Sequence, residues 1–227
     1  MRWHIQALRD IRAYLPTLGY TAQDIDDRLR TGAVSLRDKW LAGSRDPDTY
    51  YRDEVREDYL FDLTAWHGSG TINSWFETVT ELLKRMNPGR LLDFGAGIGT
   101  YSLIAASLGW EVDACDLNRT NLGYISWRSA THNLPVTVTT KPSGTYDCII
   151  CVDTIEHLLE PESFPVYAKG LLSDPGYLIA TWTFHQSGGM HPMHHTEDRL
   201  SVFLGNLNQH FTIATDTWPV LLRRWHV

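Results

Sequence analysis

Three glycines at alternate positions, Gly95, Gly97 and Gly99, follow the short run Leu91-Leu92-Asp93-Phe94. Glycine admits positive φ and has no side chain, so this turn lets a ligand lie against bare main chain and its amides. Asp116 closes the next apolar stretch about twenty residues on, where a carboxylate can accept hydrogen bonds from both ribose hydroxyls. Asp153 ends a third apolar stretch, Tyr146 to Val152. A glycine turn alone is more often a packing turn. All three features in this order are what a nucleoside-type ligand needs.

Histidine is the second chemical signal. His185, His191, His194 and His195, four of the ten histidines, fall within FHQSGGMHPMHHTED. Unperturbed imidazole is poised near neutral pH, which suits a proton acceptor. Ser187-Gly188-Gly189 ahead of the cluster suggests a lid. Three readings stay open: a substrate-facing loop with His191 or His195 as base, a metal site, or solvated and capping side chains with Thr196 as an N-cap. No spacing here matches a strong metal template, so the expectation is no metal. Cys148 and Cys151 resemble a CxxC pair, but on a strand they face opposite ways and read as buried apolar side chains.

The elements that must position these groups alternate in type. Strand patterns cover Leu91–Phe94, Trp110–Asp116, Val136–Thr140, Tyr146–Val152 and Gly176–Thr183. Helical stretches separate them at Tyr101–Leu108, Arg119–His132, Asp153–Leu159 and Phe164–Leu172. The alternation implies a mostly parallel sheet covered on both faces. A helix near Glu197–Gln209 follows, then two strands broken at Pro219, whose short connection implies antiparallel pairing.

Residues ahead of Arg90 read as helices: Trp3 to Leu15, a short one capped by Thr21 and running through Leu29, Asp48 to Trp66, and Ile72 to Met86. In the third, Tyr51, Val55, Tyr59 and Leu63 stand four apart, one apolar stripe. Tyr50, Tyr51, Tyr59, Phe61, Trp66, Trp75 and Phe76 give these helices a heavy aromatic load, read mostly as core with ligand contact as the alternative.

The bulk numbers exclude some classes. A formal charge of −7 argues against wrapping nucleic acid. No run of 18 apolar residues would span a bilayer, and Met1 to Arg12 lack the apolar centre of a secretory signal. The expectation is a cytoplasmic protein acting on a small molecule, with neither nucleic acid nor membrane as partner. Oligomeric state is left open, a homodimer among the options.

The spacing GxGxG, with Asp93 two residues before the first glycine, differs from the dinucleotide pattern GxGxxG. DFGAGIGT, then CDLN, then DCIICVDTIEHL resemble the motifs of class I S-adenosylmethionine-dependent methyltransferases, and the likeness covers Arg90 to the C-terminus. It implies a doubly wound, mostly parallel, seven-stranded Rossmann-like sheet over residues 89–227 and a helical cap over 1–88. It implies S-adenosylmethionine as cofactor, with Asp93, Gly95, Ala96 and Gly97 around its methionine part. Asp116 would hold the ribose and Leu117 would pack beside the adenine. Asp153 and Thr154 would lie near the sulfonium or the substrate. Glu156-His157 matches a pair common in these proteins after the fourth strand; for His157 a capping reading and a catalytic one stand side by side. The expected function is methyl transfer to oxygen, nitrogen or carbon of a small molecule. Self-reaction of the cofactor by cyclisation or elimination, and nucleoside binding without chemistry, are the alternatives.

Overall fold

The computed structural model describes residues 2–44, 46–184, 197–215 and 217–225. The chain opens on helices: α1 (Trp3–Tyr14), α2 (Ala22–Ala42), the single turn α3 (Pro47–Thr49), α4 (Asp58–Ser69) and α5 (Asn73–Lys84). Thr21 caps α2 as its sequence position suggested. Its hydroxyl accepts from the Asp24 amide at 3.1 Å, and the Asp24 carboxylate accepts from the Thr21 amide at 2.9 Å.

Two helix assignments need correction. The helix after Thr21 does not stop at Leu29 but continues to Ala42. Gly32 inside it is buried where α4 crosses, and a Cβ there would meet the Asp62 amide nitrogen at 3.0 Å. Its smallness serves helix packing rather than termination. The expected helix over Asp48–Trp66 is interrupted. A wide π-turn, Tyr50–Glu54, leads to Arg56 in a left-handed conformation (φ 44°), and α4 starts only at Asp58. Of the four-apart stripe, Tyr51 and Tyr59 still meet across that break, their ring centroids 5.7 Å apart, although not on one helix.

The sheet then forms in alternation: β1 (Arg90–Phe94), α6 (Thr100–Ser107), β2 (Glu111–Cys115), α7 (Arg119–His132), β3 (Val136–Thr139), β4 (Tyr146–Cys151), α8 (Phe164–Leu171), β5 (Leu172–Ala180), α9 (Glu197–His210), β6 (Phe211–Ile213) and β7 (Val220–Arg224). The strand order is β3-β2-β1-β4-β5-β7-β6. Neighbours from β3 to β5 run parallel, with Leu91 beside Val112 and Cys148; β7 pairs antiparallel with both β5 and β6. The strand order reverses between β1 and β4, and ligands of doubly wound sheets sit at the carboxyl ends of strands flanking such a point. The helix expected over Asp153–Leu159 is reduced to a 3-10 turn, Ile155–His157. Asp153 itself is left-handed (φ 55°), which prevents β4 from feeding straight into an α-helix.

Alternate strand residues supply two cores. Leu91, Val112, Cys148 and Ile150 pack with α5 and α6 side chains on one face. Leu92, Ile149, Cys151 and Leu178 pack with Phe164 and Phe203 on the other. Cys148 and Cys151 thus lie on opposite faces, buried and free, as their strand spacing implied.

A buried ionic network fastens the N-terminal helices to the sheet. Arg128 of α7 is fully buried and donates through Nε to Asp10 of α1 at 2.8 Å. His132 stands 3.0 Å from the same carboxylate, and Arg128 also donates to the Ile98 carbonyl at 2.6 Å. A buried charge left without its partner costs several kcal/mol, so this network specifies how α1 docks against the glycine turn (about 3–5 kcal/mol on breaking such a pair).

Candidate functional site

The turn after β1 is built as its sequence suggested. Gly95, Gly97 and Gly99 have φ of 74°, 54° and 73°. The Gly95 and Ala96 amides donate to the Cys115 carbonyl, each at 2.9 Å, tying the turn to the end of β2. The Gly97 amide donates to one Asp116 carboxylate oxygen at 2.8 Å, and the Asn118 amide donates to the other at 2.8 Å. Asp116 therefore holds both its own loop and the turn. A Cβ on Gly95 would overlap Thr154, which explains a glycine there beyond its backbone angle.

Above this turn lies a cavity of about 360 Å³, roofed by the N-terminal helices and floored by the strand ends. Gly95, Ala96, Gly97, Asp116, Leu117, Asp153, Thr154 and His157 all line it. Asp93 is among the residues singled out from sequence but does not line it. It is buried beneath the turn, where its carboxylate accepts from the Ser102 hydroxyl at 2.5 Å. It braces the start of α6. His191 and His195, with His185 and His194, lie outside the described residues.

Of the other lining residues, Tyr51, Tyr59 and Trp75 had ligand contact only as the alternative to core packing, and the rest were not singled out as contacts. Tyr51, Tyr59, His67, Trp75 and Tyr101, with the aliphatic Leu63 and Ile72, form a largely aromatic wall, and Thr140-Lys141-Pro142 after β3 and Tyr167 of α8 complete the rim. The signal existed: Tyr51, Tyr59 and Leu63 are three of the four stripe residues, whereas Val55 packs into a core with Leu36 and Tyr50. Periodicity identifies a buried stripe but does not say whether it buries against protein or ligand.

Burial sets the electrostatics. The Asp116 carboxyl is pushed up to about 6, mostly by burial, against the hydrogen bonds it accepts. Asp62 is also pushed up to about 6, by burial and then by the charge of Asp153. Burial raises Asp153 and Glu156 together, as close neighbours. The Asp153 amide donates to the Thr181 hydroxyl at 2.8 Å, which holds the left-handed residue in place. Glu156 is fully buried beside Asp153. Asp153, Glu156 and His157 each offer a ligand atom, all within 4.8 Å of one another. The His157 Nδ1 lies 3.0 Å from the Tyr51 hydroxyl. This corner suits a cation, whether organic or a metal ion.

Comparisons with known proteins agree with this geometry. Residues 68–224 match the family model described as a methyltransferase domain. A ubiquinone biosynthesis O-methyltransferase of Paraburkholderia xenovorans is 26% identical over 114 residues, 47% of either chain. That of Burkholderia multivorans is 32% identical over 98 residues, 40% of this chain and 42% of the relative. The chain thus spans less than half the length of the curated relatives it matches. Magnesium protoporphyrin IX methyltransferase from Synechocystis PCC 6803, solved with S-adenosylhomocysteine, superposes with a TM-score of 0.56 at 21% identity, over 86% of this chain and 100% of that one. That likeness shows the fold: a Rossmann-like sheet with flanking helices.

Proposed function

This chain belongs to the methyltransferase domain family, and on that premise we propose that it transfers a methyl group from S-adenosylmethionine to a small-molecule acceptor. The observation that carries the reading is the Asp116 carboxylate, half-buried at the cavity edge and accepting from the amide of Gly97. A carboxylate beside a side-chain-free turn supports a ribose-holding role for Asp116. The residues fit the cofactor on structural grounds: Gly95 and Gly97, at positive φ and without side chains, line the cavity beside the Asp116 carboxylate. Leu117 would pack at the adenine end, Gly95, Ala96 and Gly97 would form the cradle, and Asp153 and Thr154 would lie near the sulfonium. Asp93 acts through Ser102 and α6, not by contact.

The bound cofactor supplies a methyl group activated for in-line displacement, and the protein supplies alignment and exclusion of water. The aromatic wall of Tyr51, Tyr59, Trp75 and Tyr101 favours a flat, largely apolar acceptor. The names of the ubiquinone relatives support oxygen as the methylated atom. His157, at the cavity and oriented by Tyr51, takes the acceptor's proton as general base. His191 and His195 are further candidates for that role. A soluble small-molecule enzyme of the cytoplasm fits this reading; among the described residues no helix is long and apolar enough to cross a membrane.

Purified protein incubated with S-adenosylmethionine alone, and then with a panel of phenols and metabolites, tests the proposal by mass spectrometry. A methylated product appearing with S-adenosylhomocysteine supports it. Cofactor breakdown without acceptor would replace it with self-reaction, and no turnover despite binding would leave a nucleoside-binding protein.

The cluster of Asp153, Glu156 and His157 favours one second reading of the proton step. A divalent ion held there would lower the acceptor hydroxyl's pKa in place of a base. Chelation separates the two: with His157 as base, turnover survives chelator, whereas an ion-assisted step loses turnover and regains it with one divalent metal.

A further inference from the structure

Two side chains at the α6 end of the cavity have hydrogen-bonding capacity that the roles above do not use. The Tyr101 hydroxyl belongs to a residue only 7% exposed and has no partner among the described residues. Tyr101 lines the cavity, and a buried hydroxyl without a partner is costly unless a ligand supplies one. Its neighbour is His67, whose ring meets that of Tyr101 edge-on at 6.5 Å and lines the same wall.

The protonation of His67 follows from its partners. Arg128 can only donate, and its Nη1 donates to the Thr100 hydroxyl at 3.3 Å. The Thr100 hydroxyl also lies 2.9 Å from His67 Nδ1. The guanidinium takes one Thr100 lone pair; in the arrangement in which the Thr100 proton points to the imidazole, Nδ1 accepts and the ring proton sits on Nε2. Burial, with Arg128 adding to it, pushes His67 down to about 3, so the ring is neutral at physiological pH. Asp10 fixes the far end of this chain by accepting from Arg128. The relay Asp10–Arg128–Thr100–His67 therefore sets one tautomer at the cavity wall.

We infer that His67 Nε2–H and the Tyr101 O–H form a two-donor subsite for a carboxylate, taken by the amino-acid end of the cofactor. Thr100 opens α6, so the positive end of that helix lies beside the same anion. The described residues at this wall provide neutral donors; the lysine of the lining, Lys141, stands across the cavity after β3. Arg128 acts as a positioning residue behind His67, its charge already shared with Asp10.

This inference rests on the proposed methyltransferase reading, and the test separates the two. Affinities for S-adenosylhomocysteine and for 5′-methylthioadenosine, which lacks the amino-acid end, are measured by calorimetry on wild type, Tyr101→Phe and His67→Phe. Tyr101→Phe removes a single oxygen and keeps the packing. Each variant is expected to bind S-adenosylhomocysteine about 10-fold more weakly while methylthioadenosine changes less than about 2-fold. Equal losses for both ligands, or no loss for either, would overturn the subsite and leave the parent reading standing. A wild type that binds neither ligand would overturn both. Nitrogen NMR of His67 gives an independent readout: a neutral ring protonated at Nε2 supports the relay, and protonation at Nδ1 contradicts it.

Discussion

The Tyr51 hydroxyl and His157 Nδ1 stand 3.0 Å apart although 106 positions separate them in the chain. One comes from the π-turn of the N-terminal helices and the other from the 3-10 turn after β4. For His157 to accept a proton on Nε2, its Nδ1–H must point to that oxygen. Tyr51→Phe removes this partner and keeps the ring. We expect turnover to fall about 10-fold with cofactor affinity unchanged, and His157→Ala to cost about 10²–10⁴ in rate. Equal turnover in both variants and wild type would end the base assignment.

Asp116→Ala should weaken S-adenosylmethionine binding by about 1.5–3 kcal/mol, the range for hydrogen bonds to a charged group. The same carboxylate holds the Gly97 and Asn118 amides, so Asp116→Asn, which keeps one acceptor, should lose less. Calorimetry on folded variants reads both, and undiminished affinity in the alanine variant would remove the ribose role.

Gly97→Val should abolish cofactor binding while the chain still folds. The residue sits at φ 54°, which β-branched side chains tolerate poorly, and a Cβ there would meet Leu63 Cδ1 at 2.8 Å, narrowing the cavity. Wild-type affinity in a folded variant would mean the cofactor lies elsewhere.

Asp93 gives stability a pH dependence. Burial pushes its carboxyl up to about 7, opposed by Ser102 and aided by Asp116. A folded-state value above the unfolded one means the folded chain binds that proton more tightly. The contribution is fully present below about pH 4 and lost as pH rises through about 7. Asp93→Asn keeps an acceptor for Ser102 and removes the titration. The variant should gain on wild type by up to ~1.4 kcal/mol per pH unit across that window, measured by urea unfolding. Parallel stability curves would contradict this.

The sequence was most informative where backbone and chemistry coincide. The meeting of Gly97 with Asp116 was legible because a bare turn after one strand and a carboxylate closing the next fall at neighbouring strand ends. The alternation of strands and helices implied the mostly parallel sheet, and strand periodicity implied the opposite burial of Cys148 and Cys151. The helices were harder to read. α2 outran its expected end because Gly32 answers to α4, a contact distant in sequence. The break at Arg56 leaves no mark in a four-residue period. Asp93 looked like a ligand contact, yet its partner is Ser102, only nine positions on; sequence spacing does not show which way a strand-end carboxylate turns. Tyr101 and His67 carry no motif. Their roles emerge only through Thr100 and Arg128, joined by the folded chain.

His191, His194 and His195 are tested directly by a triple alanine variant. If the loop serves the reaction, turnover drops by at least about 10-fold while S-adenosylhomocysteine affinity holds. Full activity would make the cluster solvated surface.

The antiparallel placement of β7 between β5 and β6 bears on how the protein is made. As the chain leaves the ribosome, β1 to β5 can pair among themselves, but β5 then shows a bare edge holding Leu178 and Ile179. Its cover, Val220–Arg224, emerges only after residues 181–219 have passed. An apolar, unpaired strand edge is a template for wrong partners, and for that interval the nascent chain depends on chaperones or on speed. Substitutions in β7 should therefore lower the yield of soluble protein more than their effect on the finished fold's stability would suggest.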